Sequence, residues 1–137
     1  VITKSLKVLL CSSFVLGLSL QVHAGHKENH VDVKTGALSD RAKYGAKVFK
    51  DNCAQCHGEN GSGSDKGPPL IHSIYNPGHH SNQSIMSAIK NGTQQHHWPF
   101  GDMPAQEQIT FMQVPAIIQY IREMQEINGI KTVPHKM

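Results

Sequence analysis

Two of the three cysteines in this 137-residue chain stand in Cys53-Ala54-Gln55-Cys56-His57. C-x-x-C-H is the sequence to which a haem is covalently attached. Two thiols adding to two vinyl groups on one edge of a flat porphyrin need about one helical turn between them. The histidine that follows at once can then aim its imidazole at the iron. Three other readings of the same residues are weaker. A single disulfide is the plain alternative for an exported chain with two cysteines. A thioredoxin-type redox pair needs a βαβ setting, and no such alternation occurs. A zinc site needs a second matched pair of ligands, whereas the histidines here come as adjacent doublets.

An iron held by one imidazole needs a second axial group if it is to carry electrons with little rearrangement. A thioether opposite an imidazole stabilises ferrous iron. The methionines after the attachment motif are Met86, Met103, Met112, Met124 and Met137. Met86, Met112 and Met124 fall in helical patterns, where methionine usually fills a core. Met103 lies in Phe100-Gly101-Asp102-Met103-Pro104, and Pro104 biases it away from helical geometry. Met103 is therefore the expected sixth ligand. His96 or His97, just upstream, is the rival, as a bis-histidine iron.

The chain has ten histidines, more than one haem can use. The doublets His79-His80 and His96-His97 flank one short helical pattern, with His72 nearby and His26 and His30 further upstream. Solvated loop residues are the plain reading. The sharper one is a second metal site, for copper or zinc, built from His79, His80, His96 and His97. A helix of about ten residues is roughly 15 Å long, so the doublets would have to fold back towards each other. A pH-sensitive docking patch is a third option.

The elements that position these residues begin after an export signal. Lys4 and Lys7 precede the apolar run Val8–Leu20, and Ala24 supplies a small residue for cleavage. The run is shorter than the roughly 20 residues a spanning helix needs, so residues 1–24 read as a cleaved signal rather than a retained anchor. Stable membrane insertion is not expected after cleavage, and the location implied is the periplasm. Without those residues the formal charge falls to +1, which excludes nucleic-acid binding through a basic surface. Ile, Leu, Val and Phe then make up about 18% of the chain, below the roughly 20% that marks a poor core. A small chain this short of apolar side chains needs an outside staple.

Residues 25–36 read as a flexible lead-in, 37–128 as the one domain and 129–137 as a tail. A first helix is capped by Ser39, with Asp40 in its first turn and Ala42, Gly45, Ala46, Val48 and Phe49 on one side. The glycine-rich stretch Gly58–Leu70 is a loop; it lacks the Gly-Lys-Ser/Thr of a phosphate loop. A second helix fits Asn82–Asn91, closed by Gly92. A third fits Thr110–Ile127, with Thr110 and Gln113 as a capping box and Val114, Ile117, Ile118, Ile121 and Met124 as its apolar stripe. Pro115 makes its first turn irregular. The fold class is all-α: three main helices around one covalent haem.

In this order and spacing, residues 38–127 resemble a small monohaem class I c-type cytochrome of the bacterial type. The resemblance rests on Gly45…Phe49, Cys53-Ala54-Gln55-Cys56-His57-Gly58, Gly67-Pro68-Pro69-Leu70, Met103-Pro104 and Tyr120-Ile121. It implies a close crossing of the first and last helices at Gly45, beside Phe49 and Tyr120. It implies that a proline carbonyl, of Pro68 or its neighbour Pro69, accepts a hydrogen bond from His57. Trp98 matches family tryptophans that bond a haem propionate, and a half-buried loop anchor is the alternative.

Two functions follow from different classes. One is a periplasmic electron carrier, a monomer passing one electron between redox proteins such as a dehydrogenase, reductase or oxidase, or serving as a cytochrome subunit on one. The other is a haem catalyst or gas sensor with a labile sixth ligand. Pro104 after Met103, and the lack of an acid–base constellation, favour the carrier.

Overall fold

The computed structural model describes residues 29–134; the signal 1–24, residues 25–28 of the lead-in and 135–137 of the tail lie outside the described residues. Four helices occur in it: α1 Asp40–Asn52, α2 Ala54–His57, α3 Asn82–Asn91 and α4 Val114–Ile127. Two 3₁₀ turns, Glu59–Gly61 and Ser73–Tyr75, punctuate the loops. Among the described residues there is no strand beyond one isolated antiparallel bridge, Thr93 to Met103. None of the described helices is long and apolar enough to cross a membrane.

The helix starts follow from their caps. The Ser39 hydroxyl accepts from the Ala42 amide at 3.2 Å and donates to Glu123 at 2.6 Å, so one residue begins α1 and ties it to α4. Ser81 caps α3 by accepting from the Ser84 amide at 3.1 Å. α4 begins at Val114, four residues later than the capping box at Thr110 implied. The Gln113 side chain accepts from the Thr110 amide at 2.9 Å, but Thr110–Gln113 forms a turn, because Pro115 admits helix only when it sits in the first turn.

α1 and α4 cross in direct backbone contact. A Cβ on Gly45 would lie 1.9 Å from the Ala116 carbonyl oxygen, so only glycine admits this approach. Phe49 and Tyr120 flank the crossing with ring centroids 5.4 Å apart. Around them Ala42, Val48, Val114, Ile117, Ile121 and Met124 form the buried core, joined from the loops by Ile71 and Ile109. Met124 is core filler, and Met112 is 81% exposed.

The two ends of the described chain are irregular in backbone yet fastened. In the lead-in, Val31 donates to Ser62 O at 2.8 Å, and Lys34 exchanges bonds with the Asn128 side chain at 2.8 and 2.9 Å. In the tail, the Val133 amide donates to Asn76 Oδ1 at 3.0 Å. These bonds tie the lead-in to Ser62 of the loop after the cysteine motif and to the end of α4, and the tail to Asn76. Periodicity carries no sign of them, since each joins residues far apart in sequence.

Candidate haem site

α1 delivers the cysteine motif. It ends at Asn52, Cys53 is the one residue between the helices, and the single turn α2 carries Cys56 and His57. The Gly58–Leu70 loop then folds back on that turn. Gly63 donates to His57 O at 2.6 Å, and the Ser64 hydroxyl to Cys56 O at 2.6 Å. The loop brings the Pro68 carbonyl 2.9 Å from His57 Nδ1; of the two adjacent prolines it is Pro68 that meets the ring.

That bond fixes the chemistry of the imidazole. Nδ1–H donates to the carbonyl, which leaves Nε2 as the lone-pair nitrogen. Burial pushes the His57 pKa below its ordinary value, against the smaller opposite pull of the Pro68 bond, so the ring is neutral. A neutral, oriented imidazole is the form that binds iron. Cys53 and Cys56 are not joined in a disulfide. Burial, with Cys56 adding to it, pushes the Cys53 thiol up to about 11. Thiol–disulfide catalysts need a depressed thiol pKa, so the redox-pair reading has no support in this geometry.

A cavity of about 610 Å³ opens beside this turn, within the roughly 300–1,000 Å³ of cofactor clefts. Phe49, Leu70, Ile85, Ile89, Ile117 and Ile121 give it an apolar wall, and Cys53, His57 and Pro68 line it too. A void of that size in a chain this poor in apolar residues fits a flat, mostly apolar group tethered at Cys53 and Cys56.

Met103 lines the same cavity. It is held by the bridge to Thr93, with both amide-to-carbonyl distances 2.9 Å. Gly92 makes the bridge possible: at φ +76° it turns the chain out of α3, and a Cβ there would meet the Met103 carbonyl at 2.6 Å. Inside the loop closed by the bridge, Gln95 donates to Asp102 Oδ1 at 2.9 Å and accepts from the Gly101 amide at 2.6 Å. Trp98, 4% exposed, stacks on Tyr75 at 5.8 Å and stands edge-on to His72 at 5.4 Å.

The four doublet histidines, separated in sequence by α3, are brought together on the cavity wall. Ring centroids are 5.3 Å apart for His79 and His97, 5.0 Å for His80 and His97, and 5.8 Å for His80 and His96. The groups that arrange this escaped the sequence reading. Arg122 of α4 donates to Tyr75 O and Asn82 Oδ1 at 2.8 Å and also to His80 O, and buried Gln125 donates to Leu70 O and Tyr75 O at 3.0 Å. One signal existed: Gln125 interrupts the apolar face of Ile118 and Ile121 at helical spacing, which demands buried partners.

A helical frame that presents the Cys53 thiol, an oriented imidazole and a thioether to one apolar cavity, with the Cys56 thiol in the same motif, defines a haem-tethering protein. The family model described as Cytochrome c matches residues 42–125, and the chain belongs to that family. It is a class I c-type cytochrome whose covalent cofactor is haem c, and Cys53 and Cys56 have the spacing of the attachment motif. Among solved structures it is similar to the c-type cytochrome XoxG from Methylobacterium extorquens AM1. There the identity is 18% and the TM-score 0.55, over 72% of this chain and 61% of that one. That likeness is one of fold, and the chain spans less than two thirds of XoxG. No curated protein matches it in sequence.

Proposed function

We propose that the protein is an exported, periplasmic single-haem electron carrier with His57 and Met103 as the axial pair. The observation that carries this is the fastening of Met103. A thioether on a half-buried loop that is pinned by the Thr93 bridge, on the wall of the cavity His57 also lines, is preorganised as a ligand. When bound, the haem supplies a one-electron ferric/ferrous couple. The chain's own residues set its terms. His57, bonded to Pro68 O, holds a neutral donor on one side; Met103 offers a soft sulfur that favours the ferrous state. The apolar wall of Phe49, Ile85, Ile89, Ile117 and Ile121 keeps water from the iron.

The apolar run after Lys4 and Lys7 supports export. Near-zero charge on the remaining chain supports brief, weakly steered contacts with redox proteins such as a dehydrogenase, reductase or oxidase. The test is optical. The oxidised protein is expected to show the sulfur-to-iron charge-transfer band, and the reduced protein to bind carbon monoxide poorly. Met103→Ala should abolish the band and open the iron to carbon monoxide. A band that survives the substitution, or ready carbon monoxide binding by the parent, overturns the axial pair and favours the sensor or catalyst class.

A further inference from the structure

The histidine doublets are not used by the electron carrier, yet they are built into a site. His79 and His80 end a turn closed by their amides on Asn76 O, at 3.1 and 2.9 Å. Arg122 clamps that turn from α4 through Tyr75 O and His80 O. His96 and His97 sit in the loop that the Thr93–Met103 bridge closes. Two independently braced loops thus converge.

The convergence is close. His79, His80 and His97 can each offer one ring nitrogen within 4.8 Å of the other two. An ion bonded tetrahedrally at about 2.0–2.1 Å to each nitrogen needs them roughly 3.3 Å apart, so rotations of about 1.5 Å close the triad. His80 Nδ1 lies 2.8 Å from Ile74 O and 2.8 Å from His79 Nδ1. A proton on His80 Nδ1, donated to Ile74 O, leaves its Nε2 with the lone pair, the arrangement that orients metal-bound histidine, and does not engage the His79 lone pair. His96 is adjacent, its centroid 4.3 Å from His97, and its Nδ1 faces Gln94 O at 2.8 Å. Burial lowers the His80 pKa, against the opposite pull of the Ile74 O bond and with smaller contributions from His79, His96 and Arg122.

We propose that His79, His80 and His97, with His96 as the fourth candidate, bind one divalent transition-metal ion, Cu(II) or Zn(II), on the wall of the haem cavity. An all-imidazole donor set suits those ions, and the order of affinities favours copper. The nearby Arg122 charge opposes a cation, so the affinity has to come from the imidazole bonds themselves.

The experiment uses the full haem-loaded protein, without a polyhistidine tag, stripped with chelator. Cu(II) and Zn(II) are titrated in separate arms by calorimetry, with copper also read by electron paramagnetic resonance. One equivalent is expected to bind, with nitrogen hyperfine structure from at least three imidazoles in the copper arm. His79→Ala, His80→Ala or His97→Ala should each weaken binding by more than the roughly 10–100-fold that losing an outer-shell partner costs. His30→Ala should not. Zinc should raise the midpoint potential of the haem, because a cation sharing its cavity disfavours the ferric charge, and the triple variant should lose that rise. No stoichiometric binding by the parent, or undiminished binding by the triple variant, overturns the proposal. So does a changed axial spectrum in the metal-free triple variant, which would put one of these histidines on the iron. The hyperfine count in the unsubstituted protein decides the matter if the variants do not fold.

Discussion

Gly45→Ala tests whether the α1–α4 crossing is the chain's own contribution to stability. The new methyl would lie 1.9 Å from Ala116 O, 2.4 Å from Ala116 C and 3.0 Å from Ile117 N. All three obstacles are backbone, so no rotamer change relieves them. Restoring ordinary contact at 3.4 Å moves the helices apart by about 1.5 Å. A radial gap of 0.5–1 Å already forfeits roughly a quarter to a half of each dispersion contact. Phe49, Tyr120, Ala42 and Ile117 would all lose part of theirs. Overpacking costs about 1–3 kcal/mol where side chains can yield, and more where they cannot. Alanine's better helix propensity returns about 1 kcal/mol. The net expectation is a loss of about 2–4 kcal/mol. In guanidinium titration of the haem-loaded protein that is a midpoint lowered by about 0.5–1.3 M, for a slope of roughly 3–4 kcal/mol/M. Gly36→Ala is the control, because its methyl meets only the end of the Ile127 side chain, at 3.2 Å. An unchanged or raised midpoint for Gly45→Ala would show that the helices do not cross this way.

Three further outcomes are expected. Cys53→Ala/Cys56→Ala, unable to tether haem, should lose most of its helical circular dichroism and its cooperative melt; a native-like melt would contradict a haem-built core. Gly67→Ala places a methyl 2.8 Å from Cys56 O and shifts the Pro68 carbonyl away from His57. The weakened bond lowers the donor strength of the imidazole, so spectroelectrochemistry should find a raised midpoint potential, and an unchanged one would deny the carbonyl its role. Hydrogen bonds from the Ser39 hydroxyl, Gln119 and the Ser39 amide, in that order, hold the Glu123 carboxyl below its ordinary value. Its contribution is present above the unfolded pKa of about 4.5 and fades as pH falls through the lower folded value. Glu123→Gln should flatten the acid limb of the stability curve, and identical curves for parent and variant would refute the link.

What could be read from the sequence was what local physics decides. Ser39 caps α1 because its hydroxyl before an apolar-periodic run can satisfy a free amide of the first turn, and α3 runs over the expected Asn82–Asn91. Cys53 to His57 are legible because one motif holds all the atoms of the attachment chemistry. α4 was misjudged at its start, since two local signals competed and the steric rule for Pro115 overrode the cap at Thr110. The Thr93–Met103 bridge, the Arg122 clamp and the meeting of the doublets have no periodic trace. Each involves residues of the irregular loops, and loop pairings depend on what the loops enclose.

That enclosure is where the fold and the cofactor become one problem. The α1–α4 crossing packs chain on chain, while Ile85 and Ile89 of α3 join Ile117 and Ile121 both in that core and on the wall of the cavity. Without haem the apolar lining of the cavity of about 610 Å³ would be left to water, which exposed His79 and His96 on that lining let in. The chain without haem therefore gains more by letting α3 and the two loops collapse or detach than by holding the cavity open. The same loops carry Met103 and the histidines, so the proposed axial pair and the proposed metal site are expected to be lost together when haem is not attached.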